Sequence, residues 1–428
     1  MFIVYDLIFL FISIFYLPVY LFRGKFHRGF LLRLGRLPRG LKLDRPIWVH
    51  AVSVGEAIMV RPLIEKLRQE FPGKHFVIST VTPTGNKIAK GLAREKDLVT
   101  YLPLDFSFIV RGVIDHIDPC LFVIAETELW PNLIWSLSRK KIPVVVVNGR
   151  ISDASFRGYR AIKFLLGTFL NKVTKYLMQS ARDETRLLAL GVKKDKVQAT
   201  GNMKFDNADC VGVKKDYAEF RGKLNLRPEE RLLVAGSTHP GEEVVVLSAY
   251  KKLAENSGGL RLLIAPRHPQ KAKEISRLVL KYGFHPVFIS ELNQSLTPHY
   301  LPLTTIFILD TVGQLMNYYA IADIVFMGGS LIKKGGHNIL EPALFAKPIL
   351  FGRYMFNFRD IADLFLQNHG AILVQRKEEL PLKLKFLLDN PALMLQLGKA
   401  AQELVLNNQG AADRNLHIIK GLMSGHGS

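Results

Sequence analysis

The stretch that decides the fold is Trp48-Val-His-Ala-Val-Ser-Val-Gly-Glu56. Its first half belongs to an apolar run, Ile47 to Val52, which predicts a buried strand that ends at Ser53. Apolar residues then recur at the spacing of one helical face: Val60, Leu63, Ile64, Leu67 and Phe71. Glu56 is therefore predicted in a strand-to-helix turn, at the edge where open α/β sheets bind their ligands.

Two interpretations of Glu56 stay open at this point. A carboxylate beside a glycine and near backbone N–H groups is a candidate general base. A glutamate in the first turn of a helix also interacts favourably with the helix dipole, without any part in chemistry. The turn taken alone supports both interpretations equally.

Composition and charge narrow the class of protein. The 428 residues suffice for two domains, and the two cysteines, Cys120 and Cys210, form no CxxC pair. Such cysteine usage is typical of a reducing compartment. The net charge of +21 favours anionic partners such as lipids or phosphorylated substrates. Because there is no zinc-finger spacing and no RNP-like aromatic motif, no nucleic-acid partner is expected.

The N-terminal residues predict a membrane anchor. Residues 1–22 are nearly all apolar with one acid, Asp6, and seven basic residues follow between Arg23 and Lys42. This order is the reverse of a cleavable signal peptide and predicts an uncleaved anchor with its basic flank on the cytoplasmic side. The uncharged run Leu7–Phe22 has 16 residues, fewer than the roughly 20 of a comfortable span. Shallow insertion and burial in a soluble fold remain alternatives.

Strand-like and helical segments alternate along the rest of the chain. The pattern predicts two doubly wound α/β domains with mostly parallel sheets. A polar stretch around residues 202–216 separates them. The predicted division is an anchor (1–22), a basic juxtamembrane segment (23–44), an N-terminal Rossmann-like domain (45–204), a linker (205–222) and a C-terminal Rossmann-like domain (223–428).

Polar motifs follow the predicted strands in both halves, which predicts that both sheets turn their ligand-binding edges into one cleft. Gly236-Ser237-Thr238 offers hydroxyls and backbone N–H groups at a predicted helix start, a favourable anion site. Arg267 can bind a phosphate through its guanidinium. Asn338 and Glu341 share a helical face, and Glu341 could accept hydrogen bonds from a ribose. A Gly-rich loop followed by a helix that Asn338 caps explains the same residues.

Several functions are disfavoured by what the sequence lacks. There is no GxGxxG after a strand and no GxxxxGK[ST], which argues against a dinucleotide oxidoreductase and a P-loop hydrolase. No two aspartates lie two residues apart, and no His/Cys/carboxylate cluster offers a metal site. We therefore expect no metal and no cofactor, with arginine, lysine and helix N-termini meeting the charge of a leaving phosphate.

An ordered set of motifs resembles one family, the 3-deoxy-D-manno-octulosonic acid (Kdo) transferases of Gram-negative bacteria. The set comprises His50-Ala-Val-Ser-Val-Gly-Glu56, Glu126-Thr-Glu-Leu-Trp-Pro-Asn132, Asn148-Gly-Arg150, Gly201-Asn-Met-Lys-Phe-Asp206, Gly236-Ser-Thr-His239, Pro266-Arg-His-Pro269 and Gly336-His-Asn-x-Leu-Glu-Pro342. The resemblance implies a GT-B fold of two facing Rossmann-like domains, an N-terminal acceptor domain (45–204) and a C-terminal CMP-sugar-binding domain (223–428). It also implies metal-free transfer of Kdo from CMP-Kdo to the lipid A precursor lipid IVA, at the cytoplasmic face of the inner membrane and in contact with its lipid.

The resemblance also implies roles for particular residues. Glu56 would be the general base, and Glu126 and Lys204 would stabilise the transition state, with Glu128 as the alternative to Glu126. The predicted substrate-binding residues are Gly236, Ser237, Pro266, Arg267, Val312, Gly313, Gln314, Asn338, Ile339, Leu340 and Glu341. The family more often has Met-Gly-Glu where this chain has Val312-Gly-Gln314, so a carboxylate contact to the nucleotide would be lost there.

Other functions share parts of this pattern. A GT-B sugar-nucleotide epimerase would have the same fold, and a transferase with a different lipid-linked acceptor would share the anchor as well. A protein that only binds a nucleotide sugar would not need Glu56. Residues 150–175 hold six basic residues and one acid among apolar ones. They predict a helix that meets the acceptor through Arg157, Arg160 and Lys163, or else an amphipathic helix buried on the sheet.

Overall fold

The computed structural model of the protein describes residues 5–11, 13–15, 29–38, 40, 43–207, 217–254, 259–292 and 302–424. The chain divides into two compact units. The first contains the residues up to Asn207 and the chain from Asn408 onward, and the second contains residues 208–407.

The first unit is built on a seven-stranded parallel sheet with the order β3-β2-β1-β4-β5-β6-β7. The order reverses between β1 and β4, which is the switch point where doubly wound sheets bind ligands. Because these strands are covered on both faces, they are almost continuously apolar. The strands are β1 (Ile47–His50), β2 (Phe76–Thr80), β3 (Leu98–Tyr101), β4 (Leu121–Ala125), β5 (Val144–Gly149), β6 (Lys175–Met178) and β7 (Val197–Ala199).

Helices cover both faces of this sheet, and the alternating side chains of each strand divide between two cores. Trp48 packs edge-on against Phe122 on one face, with ring centroids 4.8 Å apart. Val49 and Val123 lie in the core of the other face. The helices of this unit are α1 (Phe30–Arg33), α2 (Val54–Met59), α3 (Arg61–Glu70), α4 (Pro83–Leu92), α5 (Ser107–Ile117), α6 (Pro131–Arg139), α7 (Asp153–Ala161), α8 (Lys163–Leu170) and α9 (Ala181–Ala189).

The second unit repeats the architecture, with a seven-stranded parallel sheet of order β10-β11-β9-β8-β12-β13-β14. Its strands are β8 (Arg231–Thr238), β9 (Leu260–Pro266), β10 (His285–Phe288), β11 (Thr305–Ile308), β12 (Ile324–Met327), β13 (Ile349–Gly352) and β14 (Ile372–Val374). Its helices are α10 (Tyr217–Lys223), α11 (Glu242–Ala254), α12 (Ala272–Lys281), α13 (Ile289–Leu292), α14 (Leu315–Ile321), α15 (Leu340–Ala343), α16 (Arg359–Gln367), α17 (Leu380–Leu388) and α18 (Pro391–Asn408).

The predicted fold class, two doubly wound parallel sheets with helices on both faces, is confirmed by these topologies. The edge strand β10 begins with His285-Pro286, and proline is confined to such positions because it cannot donate to a ladder.

The last helix, α19 (Ala411–Ser424), belongs to the first unit, whereas the sequence division placed it in the second domain. The Asp206 carboxylate accepts hydrogen bonds from the backbone N–H of Gly410 and of Ala412, both at 2.6 Å. Arg414 donates from Nε to the carbonyl of Thr200 at 2.7 Å. Of the predicted linker, Phe205–Asn207 form a 3₁₀ turn and Tyr217 begins α10, and residues 208–216 lie outside the described residues.

The predicted membrane anchor is wrong. Residues 5–11 and 13–15 are helical, but no described helix is long and apolar enough to cross a membrane. Asp6, the one acid of the segment, accepts hydrogen bonds from Ser107 N at 3.0 Å and Asn132 Nδ2 at 2.7 Å, so this helix packs on the first unit. The predicted localisation at the inner membrane through a single N-terminal anchor is therefore wrong as well. The remaining anchor residues, and Arg23, Lys25, Arg28, Arg39 and Lys42 of the basic segment, lie outside the described residues.

Candidate active site

Glu56 closes a capping box at the first helix after β1. The Ser53 hydroxyl accepts a hydrogen bond from Glu56 N and donates to Glu56 Oε1 at 2.9 Å. Glu56 Oε2 accepts a hydrogen bond from Val52 N at 2.8 Å. The carboxylate therefore has a fixed position, and each oxygen keeps a free lone pair for a further donor.

Burial is the main cause that raises the pKa of Glu56 to about 7. The two hydrogen bonds act in the opposite direction, and the charges of Glu126 and Glu128 add to the rise. A carboxyl group with this pKa is divided between its two protonation states near neutral pH, which suits a general base. The capping interpretation is confirmed by these contacts, and the general-base interpretation stays a prediction for the same side chain.

Glu126 begins the loop after β4, next to β1 in the sheet, in a left-handed backbone conformation with φ of 56°. A non-glycine residue rarely adopts this conformation, and such residues cluster at functional sites. Its Oε1 lies 3.9 Å from Lys204 Nζ. The neighbouring Thr127 hydroxyl accepts from Arg150 N at 3.1 Å and donates to the Arg150 carbonyl, which joins this loop to the one after β5.

Lys204 reaches the same edge because Asn148 holds its loop. Asn148, fully buried at the end of β5, accepts a hydrogen bond from Met203 N on Oδ1 at 2.8 Å. Asn202 accepts from Lys204 N at 3.0 Å. The structure therefore brings Glu56, Glu126 and Lys204 to one edge of the first sheet. Glu128 lies there too, and burial followed by the charge of Glu126 raises its pKa.

His50 does not belong to this group. It is fully buried in β1, and its Nδ1 lies 3.0 Å from Ser79 Oγ. Burial lowers the pKa of His50 to about 4, so the ring is neutral. It is a structural residue of the sheet.

In the second unit, the loop after β8 differs from the prediction. Gly236, Ser237 and Thr238 belong to the strand, and the helix begins only at Glu242. The predicted helix start at Gly236–Thr238 is therefore wrong, and the predicted role of Gly236 and Ser237 in substrate binding stays a prediction. The fully buried Glu242 carboxylate instead accepts four backbone N–H groups, those of His239, Gly329, Ser330 and Leu331. It ties the loop after β8 to the loop after β12.

Gly236 and Ser237 nevertheless have unusual environments. A Cβ on Gly236 would meet the hydroxyl of Tyr319 at 2.0 Å, so only glycine permits this buried ring to approach. Ser237 has a φ of 54°, again in the left-handed region. Such a strained serine at a strand end is typical of a functional loop.

Arg267 follows β9, and its side chain is exposed. Its guanidinium makes no hydrogen bond or ion pair with any described residue, while its backbone N–H donates to the Thr238 carbonyl at 2.9 Å. Its positive charge acts on Glu341, His239 and His337. Asn338 Nδ2 donates to Glu341 Oε1 at 3.2 Å, and Asn338 Oδ1 accepts from Leu340 N at 3.2 Å. Asn338 lies one residue before the N-cap, Ile339, so the predicted cap is wrong, while its side chain accepts from the first N–H of α15 and orients the Glu341 carboxylate.

The remaining predicted binding residues divide into two groups. Pro266 ends β9. Ile339 and Leu340, at the start of α15, are buried. Val312 is 84% exposed, Gly313 has a φ of 86°, and Gln314 lines a separate cavity of about 160 Å³ with Lys223 and Tyr318. The strands β11, β9, β8 and β12 are neighbours, so all these loops share one edge of the second sheet.

Sequence reasoning missed the pairing of His239 with His337. Their Nε2 atoms lie 2.8 Å apart. Each histidine belongs to one of the motifs quoted above. Their separation of 98 residues in the chain gives no indication that the two rings meet.

The two parallel sheets and these strand-end residues define the class of the protein, an α/β protein of two doubly wound units. Solved structures with this fold include a glycosyltransferase from Rickettsia africae, which is 15% identical, covers 89% of this chain and 99% of its own, and has a TM-score of 0.57. A UDP-GlcNAc 2-epimerase from Neisseria meningitidis is 14% identical, covers 89% of this chain and 100% of its own, and also has a TM-score of 0.57. At these identities the likeness concerns the fold alone.

Sequence comparison identifies the family. The family model of 3-deoxy-D-manno-octulosonic-acid transferase (kdotransferase) matches residues 28–207. The 3-deoxy-D-manno-octulosonic acid transferase of Haemophilus influenzae is 34% identical over 87% of this chain and 86% of its own length. The chain belongs to the Kdo transferase family and is a glycosyltransferase, as its motifs predicted.

Proposed function

We propose that this enzyme transfers Kdo from CMP-Kdo to lipid IVA, without a metal ion and with Glu56 as general base. The observation that carries the proposal is the state of Glu56. It is held by two hydrogen bonds at the carboxyl end of β1, and its pKa is raised to about 7.

In this reaction Glu56 takes the proton of the acceptor hydroxyl as that oxygen attacks the anomeric carbon of Kdo. Lys204 and Glu126 lie at the same sheet edge, where their opposite charges stabilise the charge that develops in the transition state. The pairing of Glu126 with Lys204 favours Glu126 over Glu128 for this role, because Glu128 forms no ion pair with any basic side chain in the described part of the chain.

The second unit binds the donor. The exposed Arg267 guanidinium forms no hydrogen bond or ion pair in the described part of the chain, so it is available for the CMP phosphate. Guanidinium groups bind phosphates through paired hydrogen bonds. The Glu341 carboxylate, oriented by Asn338, accepts hydrogen bonds from the ribose. Gly313 and Gln314 contact the nucleotide from the neighbouring loop. With these residues and no Asp-x-Asp pair in the sequence, the proposal includes no metal.

The test is mass spectrometry of the products after incubation with CMP-Kdo and lipid IVA. We expect lipid IVA that carries one or more Kdo residues, and CMP released only when the acceptor is present. CMP release that does not depend on acceptor, or isomerised sugar, would indicate an epimerase-like activity instead. Transfer to another lipid-linked acceptor but not to lipid IVA would overturn the acceptor assignment alone.

A further inference from the structure

Two histidines of the second unit meet end to end at the carboxyl edge of its sheet. The rings of His239 and His337 are nearly parallel, at 6°, and their centroids are 5.1 Å apart. Because the nearest atoms, the two Nε2 nitrogens, are only 2.8 Å apart, the rings meet through these nitrogens rather than face to face. Such a contact requires one Nε2–H donor and one unprotonated Nε2 acceptor.

This hydrogen bond determines how many protons the pair can hold. When both rings are neutral, the ring that donates from Nε2 has an unprotonated Nδ1. One added proton on this Nδ1 leaves the bond between the rings intact, whereas a second would place two N–H groups against each other. Neither Nδ1 has a hydrogen-bond partner among the residues described for this unit. The pair can therefore accept one proton and offer an N–H group outward.

The surrounding loops hold both rings in place. The Glu242 carboxylate accepts from His239 N at 3.1 Å and from Gly329 N at 2.6 Å. Gly336 N donates to the Gly329 carbonyl at 2.8 Å, which positions the loop of His337. A Cβ on Gly329 would lie 3.1 Å from His337 Nε2, and Gly329 has a φ of 68°. Glycine is needed there for the rings to meet.

The charges around the pair are mostly positive. Arg267, His268 and Lys334 face it, and the buried Glu242 is already occupied by four backbone N–H groups. Glu341 lies beside Arg267 and is hydrogen-bonded to Asn338. Burial, reinforced by the charge of Arg267, lowers the pKa of His337 to about 4, and burial with the charges of Lys334 and Arg267 lowers that of His239. The pair is therefore neutral until an anion binds beside it.

We propose that the His239–His337 pair binds the phosphate of CMP and takes up one proton when it does so. The inference rests on the proposed function, since the nucleotide is that of the proposed donor. During transfer the bond between the anomeric carbon and the phosphate oxygen breaks, and its electron pair stays on the phosphate. The acceptor oxygen bonds to the anomeric carbon and loses its proton to Glu56. CMP thus leaves with one more negative charge, which the protonated pair stabilises through an Nδ1–H hydrogen bond.

The experiment is calorimetric titration of CMP into the full chain between about pH 6 and 8, the range in which histidines titrate. Each titration is made in two buffers of different ionisation enthalpy, so that proton uptake is measured directly. For the wild type we expect uptake that approaches one proton, with an affinity that falls by up to about tenfold for each unit of rising pH. His337→Gln keeps a hydrogen-bonding side chain but cannot take up the proton. It should abolish the uptake and weaken binding by about tenfold to a hundredfold at the acid end.

His285→Gln is the matched control, since it alters an exposed histidine on an edge strand of the same unit. It should bind CMP with the wild-type proton uptake. Uptake that persists in both His239→Gln and His337→Gln would overturn the inference and assign the proton to the nucleotide phosphate. Loss of uptake in His268→Gln alone would assign it to His268. If the wild type bound CMP through Arg267 with no linked proton, only the inference about the pair would fail. A wild type that did not bind CMP would overturn the proposed donor as well.

Discussion

At the scale of single residues, Glu56 shows which properties of a motif residue can be predicted from the sequence and which cannot. Its position after a buried strand was predictable because the apolar run Ile47 to Val52 can only be a strand in a two-sided sheet. Its pKa was not predictable, because burial and the approach of Glu126 and Glu128 depend on loops far away in sequence. The sequence left two interpretations of this glutamate, and the geometry shows that they are compatible.

Glu56→Gln should lower the transfer rate by about 10² to 10⁴-fold, the usual effect of removing a general base. The amide preserves the hydrogen bond from Val52 N, so CMP affinity should not change. Measured transfer rates and CMP affinities of the variant and the wild type test this prediction. The control is Glu65→Gln, which alters an exposed glutamate on α3 and should leave the rate unchanged. Near-normal turnover of Glu56→Gln would exclude this residue as the base.

The pH dependence of the rate should reflect the pKa of Glu56, about 7. A base acts when it is deprotonated, so the rate should fall as the pH drops below this value. The Ser53 hydrogen bond favours the charged carboxylate, and Ser53→Ala should therefore move the acid limb to higher pH. Ser152→Ala removes a similar helix cap from α7 and serves as the control. An acid limb that Ser53→Ala does not move would show that another group titrates.

Arg267→Ala should weaken CMP binding by about 1.5–3 kcal/mol, the scale of a charged hydrogen bond. The reason is that the Arg267 guanidinium lies beside Glu341 and the histidine pair and forms no hydrogen bond or ion pair with any described residue. Titration of CMP into the variant measures the loss, and Arg277→Ala, which alters an exposed arginine on α12, is the control. EDTA should leave transfer intact. If EDTA abolished activity and magnesium restored it, the metal-free mechanism would be wrong.

At the scale of elements, strands were easier to predict than the loops that follow them. The bounds of β2 and β4 follow from apolar runs that end in polar residues. The loop after β8 was misjudged because Glu242 accepts backbone N–H groups from two loops that are about 90 residues apart in the chain. A contact of that kind leaves no periodic signal in the sequence, so the helix start was placed too early.

Helix α7 bears on the two interpretations of residues 150–175, a helix that meets the acceptor or an amphipathic helix buried on the sheet. None of its residues is buried, while Phe169 and Leu170 at the end of α8 are buried in the core. Within α7 and α8, the interpretation of an amphipathic helix buried on the sheet therefore fits only the end of α8. Phe164, at the start of α8, is 95% exposed. An apolar and basic surface of this kind suits a ligand with both acyl chains and phosphates, as lipid IVA has.

Reversal of Arg157, Arg160 and Lys163 to glutamate should raise the Michaelis constant for lipid IVA and leave that for CMP-Kdo unchanged. The expected cause is repulsion between the new carboxylates and the phosphates of the acceptor. Steady-state kinetics with each substrate varied in turn measures both constants. Reversal of Lys273, Arg277 and Lys281, three exposed basic residues on α12, is the control. Equal effects on both substrates, or no effect on either, would contradict an acceptor surface at α7.

At the scale of the whole molecule, the alternation of strands and helices was sufficient to predict two α/β units, but not where the chain ends. Helix α19 follows the second unit in sequence, so a division by sequence order assigns it there. In the structure its buried face, with Ala411, Ala412 and Ile419, joins the core of the first sheet. Nothing in the amphipathic pattern of a helix states which of two apolar faces it will cover.

Asp206 is the residue that fixes this helix, and its removal should destabilise the first unit. Asp206→Ala leaves the N–H groups of Gly410 and Ala412 without their acceptor at the helix N-terminus, at an expected cost of about 2–3 kcal/mol. Trp48, Trp130 and Trp135, the three tryptophans of the chain, all lie in the first unit, so tryptophan fluorescence during urea unfolding reports on that unit alone. Asp413→Ala is the matched control. Its carboxylate forms only an exposed ion pair with Lys66, which contributes less than about 1 kcal/mol. If the two variants unfolded at the same urea concentration, Asp206 would not be the cap that holds α19 on the first unit.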